Sequence, residues 1–361
     1  MEKGNTGGAM AGIDDVAGMA AVSIATVSRV FNRPDSVKPS TRERVLNAAQ
    51  ALNYQPNASA RNLRGIQSIH KKGLTHTVGF LADRKTVMHG DPFAYELLEA
   101  VESALCERGL GIRIIPVSPD GNIPREIAEH GVDGVISRLS APMVRRIAEQ
   151  VHTVSLDEFD LGIGGYAVVP DYTAGLRTVM DRLFAARLTD VALLSNDPAK
   201  VPSENFWELF PKTCAEAYER RGLPIPAGLH RGAAYDHKSG YETGCRIFAD
   251  KKAWPDAIIG PDGAMLGLYR AAAEHGARIP DDVSVIGVNG LRFGEFLHPA
   301  LTTIDVRPAR MGAIAVEILA DCIASGTRRR GVEIVPVVLR ERASARIKAM
   351  ENKERMNREG R

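Results

Sequence analysis

Cysteine is scarce in this chain and follows no pattern. Cys106, Cys214, Cys245 and Cys322 lie far apart without a CxxC spacing, which argues against a zinc site or a disulfide framework and suits a reducing cytoplasm. No apolar run approaches the ~18 residues a membrane helix needs. Residues 1–12 are glycine-rich and polar, lack the apolar core of an export signal, and are expected to be disordered. Catalytic signatures are missing as well: no GxSxG, HExxH, Walker A or paired metal-ligand spacing occurs, and the nine histidines are scattered. Asp157 and Asp160 come nearest to a pair of acids, but they fall in a loop where no helix fixes their separation. Gly162-Ile-Gly-Gly165 is a lone glycine cluster and reads as a turn, not as a nucleotide fingerprint. The expectation is no enzyme, no cofactor and no metal.

What is present is ordinary in bulk and uneven in distribution. Hydrophobic residues make up 44% and charged residues 25%, as in a soluble globular protein. The net charge is only +2, yet residues 1–72 hold ten Lys/Arg against five Asp/Glu. The basic excess therefore sits in the first segment, where phosphate contacts would form.

That segment reads as three short helices. Ile13, Val16, Ala17 and Ala20 make one apolar stripe at i, i+3, i+4 and i+7. Ala21 and Val22 make a turn, and Ser23 is a good N-cap. In the second helix Val27, Val30 and Phe31 face inward, which leaves Ala25, Ser28, Arg29 and Asn32 on an outer face that is small, polar and cationic. Such a face suits a helix entering a major groove. Ser40 to Glu43 reads as a capping box opening a third helix, with Val45, Ala48, Ala49 and Leu52 buried. Arg29 is the best candidate for a bidentate guanine contact. Ile24 and Ala25 offer apolar surface to base edges, while Thr26, Ser28, Asn32 and Tyr54 suit backbone contacts that position without specifying.

The order of residues goes further than the periodicity. Asp15-Val-Ala, Val22-Ser-Ile-Ala-Thr-Val-Ser-Arg-Val-Phe-Asn32, Thr41-Arg-Glu-Arg-Val45 and Asn53-Tyr-Gln-Pro-Asn-Ala-Ser-Ala-Arg-Asn-Leu63 closely resemble the LacI/GalR family of bacterial transcription regulators. The resemblance continues more loosely to about Leu339. It implies a dimeric repressor on a palindromic operator, with Ser23 and Ile24 to Asn32 at the DNA. It also implies a hinge near 58–64 that folds on DNA, which adds Asn57, Ala60 and Arg61 and lets Leu63 wedge into the minor groove. In that family the positions of Ile24 and Ala25 help choose the operator. Ala21 departs from the usual glycine and would cost about 1 kcal/mol if the turn needs positive φ.

From residue 75 onward the pattern alternates. Strands are expected at 77–81, 111–117, 132–136, 153–156, 191–194, 257–259 and 283–288. Helices are expected at 93–108, 123–130, 143–149, 173–186, 210–221, 238–251 and 264–275. Alternation implies parallel sheets covered by helices. Two such sets, joined by crossing segments near 167–171 and 301–305, imply two lobes with a cleft beyond the strand carboxyl ends. The loops there supply Asp83, Asp91, Phe93, Ser137, Asp157, Asp171, Asp262, Asn289 and Phe293. Aromatic faces with a few carboxylates suit a small polyol or sugar.

The resemblance implies a periplasmic-binding-protein-like effector domain, and the chain departs from it where the ligand is usually gripped. Phe210 stands where the family carries an arginine, Gly287-Val-Asn-Gly290 replaces Gly-Phe-Asp-Asp, and Ala94 replaces a second aromatic. A bidentate arginine clamp is thus missing. The expected division is a disordered start at 1–12, the helix-turn-helix at 13–57, a hinge and linker at 58–74, the two-lobed domain at 75–340, and a charged, frayed tail at 341–361. The main reading is a cytoplasmic homodimer that binds operator DNA and a small-molecule effector, with no membrane contact. A DNA-binding regulator or architectural protein without ligand response is the alternative. A free solute-binding protein would lack the head and need an export signal.

Overall fold

A computed structural model of the chain describes residues 13–32, 37–52, 74–83, 92–117, 122–139, 141–157, 165–194, 206–229, 232 and 236–347. The chain divides into two compact units, a helical head and a larger two-sheet body.

The head contains α1 (Ile13–Met19), α2 (Ile24–Asn32) and α3 (Pro39–Ala51). Val16, Ala17, Ala20, Val27, Val30, Val45, Ala48 and Ala49 close its core, with Val22, Val37 and Leu52 packed at its margin. The expected capping box at Ser40 is not what opens α3. The helix begins at Pro39, and its N-cap, Lys38, makes no side-chain cap. Proline fixes its own φ near the helical value and has no amide to satisfy, so it sets the first turn without a hydroxyl.

The body contains β1 (Thr77–Asp83), β2 (Gly111–Val117), β3 (Gly134–Ser137), β4 (His152–Leu156), β5 (Tyr166–Pro170), β6 (Val191–Leu193), β7 (Ala257–Pro261), β8 (Ser284–Asn289), β9 (Thr302–Asp305), β10 (Gly331–Val335) and β11 (Val338–Arg340). Its helices are α4 (Pro92–Glu107), α5 (Arg125–Ala128), α6 (Ala141–Ala148), α7 (Tyr172–Ala185), α8 (Phe206–Glu219), α9 (His237–Phe248), α10 (Asp262–Glu274) and α11 (Pro308–Ser325). The first sheet runs β10-β5-β4-β3-β1-β2 and the second β11-β9-β8-β7-β6. All described pairings are parallel except β11 with β9. Parallel strands need helical crossovers and are covered on both faces, which is why β3, β7 and β8 are buried at every residue.

The segments at 167–171 and 301–305 were expected to cross between lobes. They are instead strands within a lobe, β5 in the first sheet and β9 in the second. The chain crosses just after each, because α7 packs on α8, β9 and β11 of the second lobe while α11 packs on α4 and β3 to β5 of the first. A third crossing joins β10 to β11 through residues 336 and 337. The tail also differs from expectation. Ser344 is fully buried, its Oγ accepts from the Thr302 amide at 2.8 Å and donates to the Val285 carbonyl at 2.6 Å, and Ile347 is only 9% exposed. Residues 341–347 thus belong to the second lobe despite their charge. Arg342 reaches Glu295 at 2.7 Å, so the charged side chains serve as edge pairs rather than as a solvated end.

Candidate nucleic-acid interface and effector cleft

The turn before α2 is built by two main-chain bonds. The Val22 amide donates to the Ala17 carbonyl at 3.1 Å, and the Ala21 amide to the Gly18 carbonyl at 3.2 Å. This pair is a Schellman motif, and it holds Ala21 at φ 50°. The left-handed position is where glycine would sit without a Cβ penalty, so the alanine carries the expected strain. Ser23 then caps α2. Its Oγ accepts from the Thr26 amide at 3.2 Å and meets the Thr26 hydroxyl at 2.9 Å. Each hydroxyl thus has a local role. Burial of Val27 and Val30 fixes how the helix rolls on the head. Ile24, 49% exposed, and Arg29 are thereby left on the solvent side. The side chains of Ala25, Ser28 and Asn32 lie outside the described set, as do the whole residues Tyr54, Asn57, Ala60, Arg61 and Leu63.

In the body, the parallel strands bring their carboxyl ends to the seam between the lobes. From the first lobe come Arg138 after β3 and Asp157 after β4. Tyr172 opens α7 just past β5. The Tyr172 hydroxyl donates to Asp157 Oδ1 at 2.7 Å and lies 3.5 Å from Asn289 Oδ1 of the second lobe. A phenol has one proton, and it goes to the carboxylate. Turning the Asn289 amide would place its NH2 toward the Tyr172 oxygen, the orientation the chemistry favours. Arg138 approaches Asp157 at 3.4 Å and stacks over the Phe93 ring at 4.9 Å. Asp157 and Asn289 both hold positive φ, 64° and 115°, conformations that aim short polar side chains at places a regular strand end would not reach.

Four of the other expected lining residues do different work. Asp262 is fully buried: it accepts from the Leu291 amide at 2.7 Å and from the Thr303 hydroxyl at 2.8 Å. Burial pushes its carboxyl up to about 7 against the pull of those donors. It braces the turn after β8 from beneath and presents no atom to the cleft. Phe210 is also fully buried, a core residue of α8. Asp171 caps α7 by accepting from the Ala174 amide at 2.9 Å. Ser137 is buried, with its hydroxyl accepting from the Leu139 amide at 3.1 Å. Asp91 and the Asp83 side chain lie outside the described residues.

Two lining groups were not anticipated. Arg138 brings a guanidinium to the strand ends of the first lobe, beside Asp157. His237, at the start of α9, meets Phe293 edge to face at 6.4 Å, and its Nδ1 lies 2.7 Å from the Gly263 carbonyl. A carbonyl only accepts, so Nδ1 carries a proton. The signal for Arg138 was its place one residue past a fully buried strand. A cavity of about 470 Å³ lined by Thr189, Asp190, residues 223–228 and Ala253 opens near the amino end of β6, away from the carboxyl ends where such folds take ligands.

Comparison with known proteins gives two family matches: bacterial regulatory proteins, lacI family, over residues 12–57, and a periplasmic binding protein-like domain over residues 180–345. The chain is 30% identical over 342 residues to the HTH-type transcriptional repressor PurR of Mannheimia succiniciproducens, across 91% of this chain and 96% of that one. It is 27% identical over 348 residues to the ribose operon repressor of Escherichia coli (strain K12), across 93% of this chain and all of the other. A crystal structure of the lac repressor dimer bound to operator and the anti-inducer ONPF matches at TM-score 0.65 and 23% identity, across 92% and 98% of the two chains. That last likeness is one of fold.

Proposed function

Because this chain belongs to the lacI family of bacterial regulatory proteins, we propose that it is a cytoplasmic, non-enzymatic repressor that grips a near-palindromic operator as a homodimer. A small molecule in the cleft between its lobes sets that grip. The observation that carries the DNA half is the capped α2, rolled by Val27 and Val30 so that Ile24 and Arg29 point outward. Arg29 reads a guanine, Ile24 and Ala25 read base edges, and Ser23, Thr26, Ser28, Asn32, Tyr54 and Asn57 fix the register on the backbone. Ala60, Arg61 and Leu63 belong to a hinge at 58–74, between a head at 13–57 and the two-lobed domain from 75. The lac repressor dimer is named with operator and anti-inducer together, and the same two-ligand logic is carried here to this chain.

In the cleft, Asp157 and Arg138, the latter resting on the buried Phe93 ring, would meet Asn289, Phe293 and His237, a set of donors and acceptors beside an aromatic ring that suits a polyhydroxylated compound. Its effect on DNA equals its differential affinity for the two lobe arrangements. The test is to capture genomic fragments on the full-length chain. Near-palindromic sites are expected, and Arg29→Ala is expected to cost about 1–3 kcal/mol and relax one base position. No preference over random competitor at moderate salt defeats the reading.

One observation favours a second reading, a regulator without ligand response: the arginine position is a buried phenylalanine, Phe210. A thermal-shift screen of small metabolites with and without operator separates the two. A compound that stabilises the chain and changes operator affinity rules out the second.

A further inference from the structure

Two neighbouring main-chain amides in the turn after β8 are committed to carboxylates of opposite lobes. The Leu291 amide donates to Asp262 of the second lobe at 2.7 Å, and the next amide, Arg292, donates to Glu96 of the first lobe at 3.0 Å. The Arg292 side chain follows its amide across. Its Nε lies 3.6 Å from the same Glu96 oxygen, its Nη1 lies 3.4 Å from Glu99 Oε1, and its Nη2 donates to Glu99 Oε2. Glu96 and Glu99 stand one turn apart on α4, and Phe93 precedes Glu96 by another turn, so one face of that helix carries both the ring beneath Arg138 and the receiving carboxylates.

At the other end the turn is hard to bend. Asp262 is buried, Gly287 leaves the space its carboxylate fills, since a Cβ there would come within 1.8 Å of Oδ1, and Gly290 at φ 75° lies against Asp305. A force on Arg292 is therefore passed to β8 instead of being absorbed by a soft loop. An exposed ion pair alone contributes little. Here the Arg292 side chain is 69% exposed, but the main-chain bond to Glu96, whose side chain is only 15% exposed, ties the lobes without needing the long arginine side chain to be ordered.

We propose that residues 289–293 form a clasp between the lobes, in which Arg292 hooks onto Glu96 and Glu99 and holds the lobes together while the cleft is empty. This deepens the ligand-controlled reading above by naming what a ligand must work with or against. Asn289 and Phe293 flank the hook, so a molecule that displaces either side chain shifts Arg292 as well. The clasp makes the resting lobe angle a property of the protein itself and sensitive to ionic strength.

Hydrogen–deuterium exchange on the full-length chain without any ligand tests it. Arg292→Glu, which sets like charges against both glutamates, is expected to speed exchange about tenfold in the turn and in α4 together. Adding Glu99→Arg to that variant is expected to restore protection in both segments, and a milder Arg292→Gln is expected to fall between. If Arg292→Glu loosens only its own turn and leaves α4 as protected as before, or if the charge swap restores nothing, the clasp is an ordinary surface pair and the proposal falls. No ligand enters the measurement, so its failure leaves the cleft reading to the metabolite screen.

Discussion

The two lobes are built to one plan and use their polar groups in opposite ways. In the first, the charges at the strand ends face the seam. Arg138 and Asp157 are each less than a fifth exposed, meet at a loose 3.4 Å, and share their surroundings with an aromatic ring and a phenol. In the second, the main described carboxylate of the strand ends, Asp262, is withdrawn entirely and spent on the fold. The first lobe thus keeps adjustable groups where a ligand would come, while the second keeps a stiff frame and shows an amide, a ring edge, an imidazole and the Arg292 guanidinium. A carboxylate after a strand is therefore no ligand contact by position alone. Whether it serves the ligand or the frame depends on what the next turn places over it.

The contrast can be broken most sharply with two glycines. At Gly287 a Cβ would meet the Asp262 carboxylate at 1.8 Å, whereas at Gly79 of the first lobe it would meet the far end of the Ile115 side chain at 2.8 Å. Gly287→Ala is expected to cost about 3 kcal/mol or more by urea unfolding, and Gly79→Ala about 1 kcal/mol. Equal losses would mean the second lobe is no stiffer than the first.

Next in size is a pH effect. Because the folded Asp262 carboxyl is raised to about 7, the native state binds its proton more tightly than the unfolded chain does. The penalty for its charge is complete above pH 7 and is relieved as pH falls toward 4. Wild type is therefore expected to gain about 2 kcal/mol from this group between pH 7 and pH 5, with the slope removed in Asp262→Asn. A wild type and variant with parallel pH profiles would show that the buried carboxylate titrates as an ordinary one.

In the first lobe the effects are smaller. Tyr172→Phe removes a buried donor from Asp157 and is expected to cost about 1 kcal/mol. Arg138→Ala breaks a shielded but long ion pair, leaves Asp157 the Tyr172 hydroxyl, and is expected to cost about 1 kcal/mol, while weakening any cleft ligand far more. Should Arg138→Ala destabilise the empty chain as much as Gly287→Ala, the first lobe's charges are part of the frame too.

Much of the fold was legible because apolar runs bounded by turns mark buried parallel strands and helical stripes. The strand 111–117 matches to the residue, and the strand at 77 starts where expected. The strained turn at Ala21 and the cap at Ser23 were readable because both act through neighbours in sequence. β10 and β11 were missed although 334–339 is an apolar run: both lie at sheet edges with mostly exposed residues, and Pro336 breaks the run into two short pieces that join different sheets. α11 was missed although its stripe of Met311, Ala315, Ile318, Leu319 and Cys322 has helical spacing. Of the residues expected at the cleft, Asp157 and Asn289 lie on either side of the Tyr172 hydroxyl, Phe93 is buried beneath Arg138, and Phe293 is beside His237. The fates of Asp262 and Phe210 could not be foreseen, because burial of a loop carboxylate or a helix phenylalanine is decided by elements distant in the chain.

The three passages between lobes all run from strands at one margin of each sheet: β5 and β10 are neighbours there, as are β9 and β11. Three covalent ties set side by side resist sliding and stretching, since either would lengthen at least one of them. What remains soft is a swing about the line they define, like a book opening along its spine. Any compound wedged at the far margin would thus be read out as a single angle, whatever its shape.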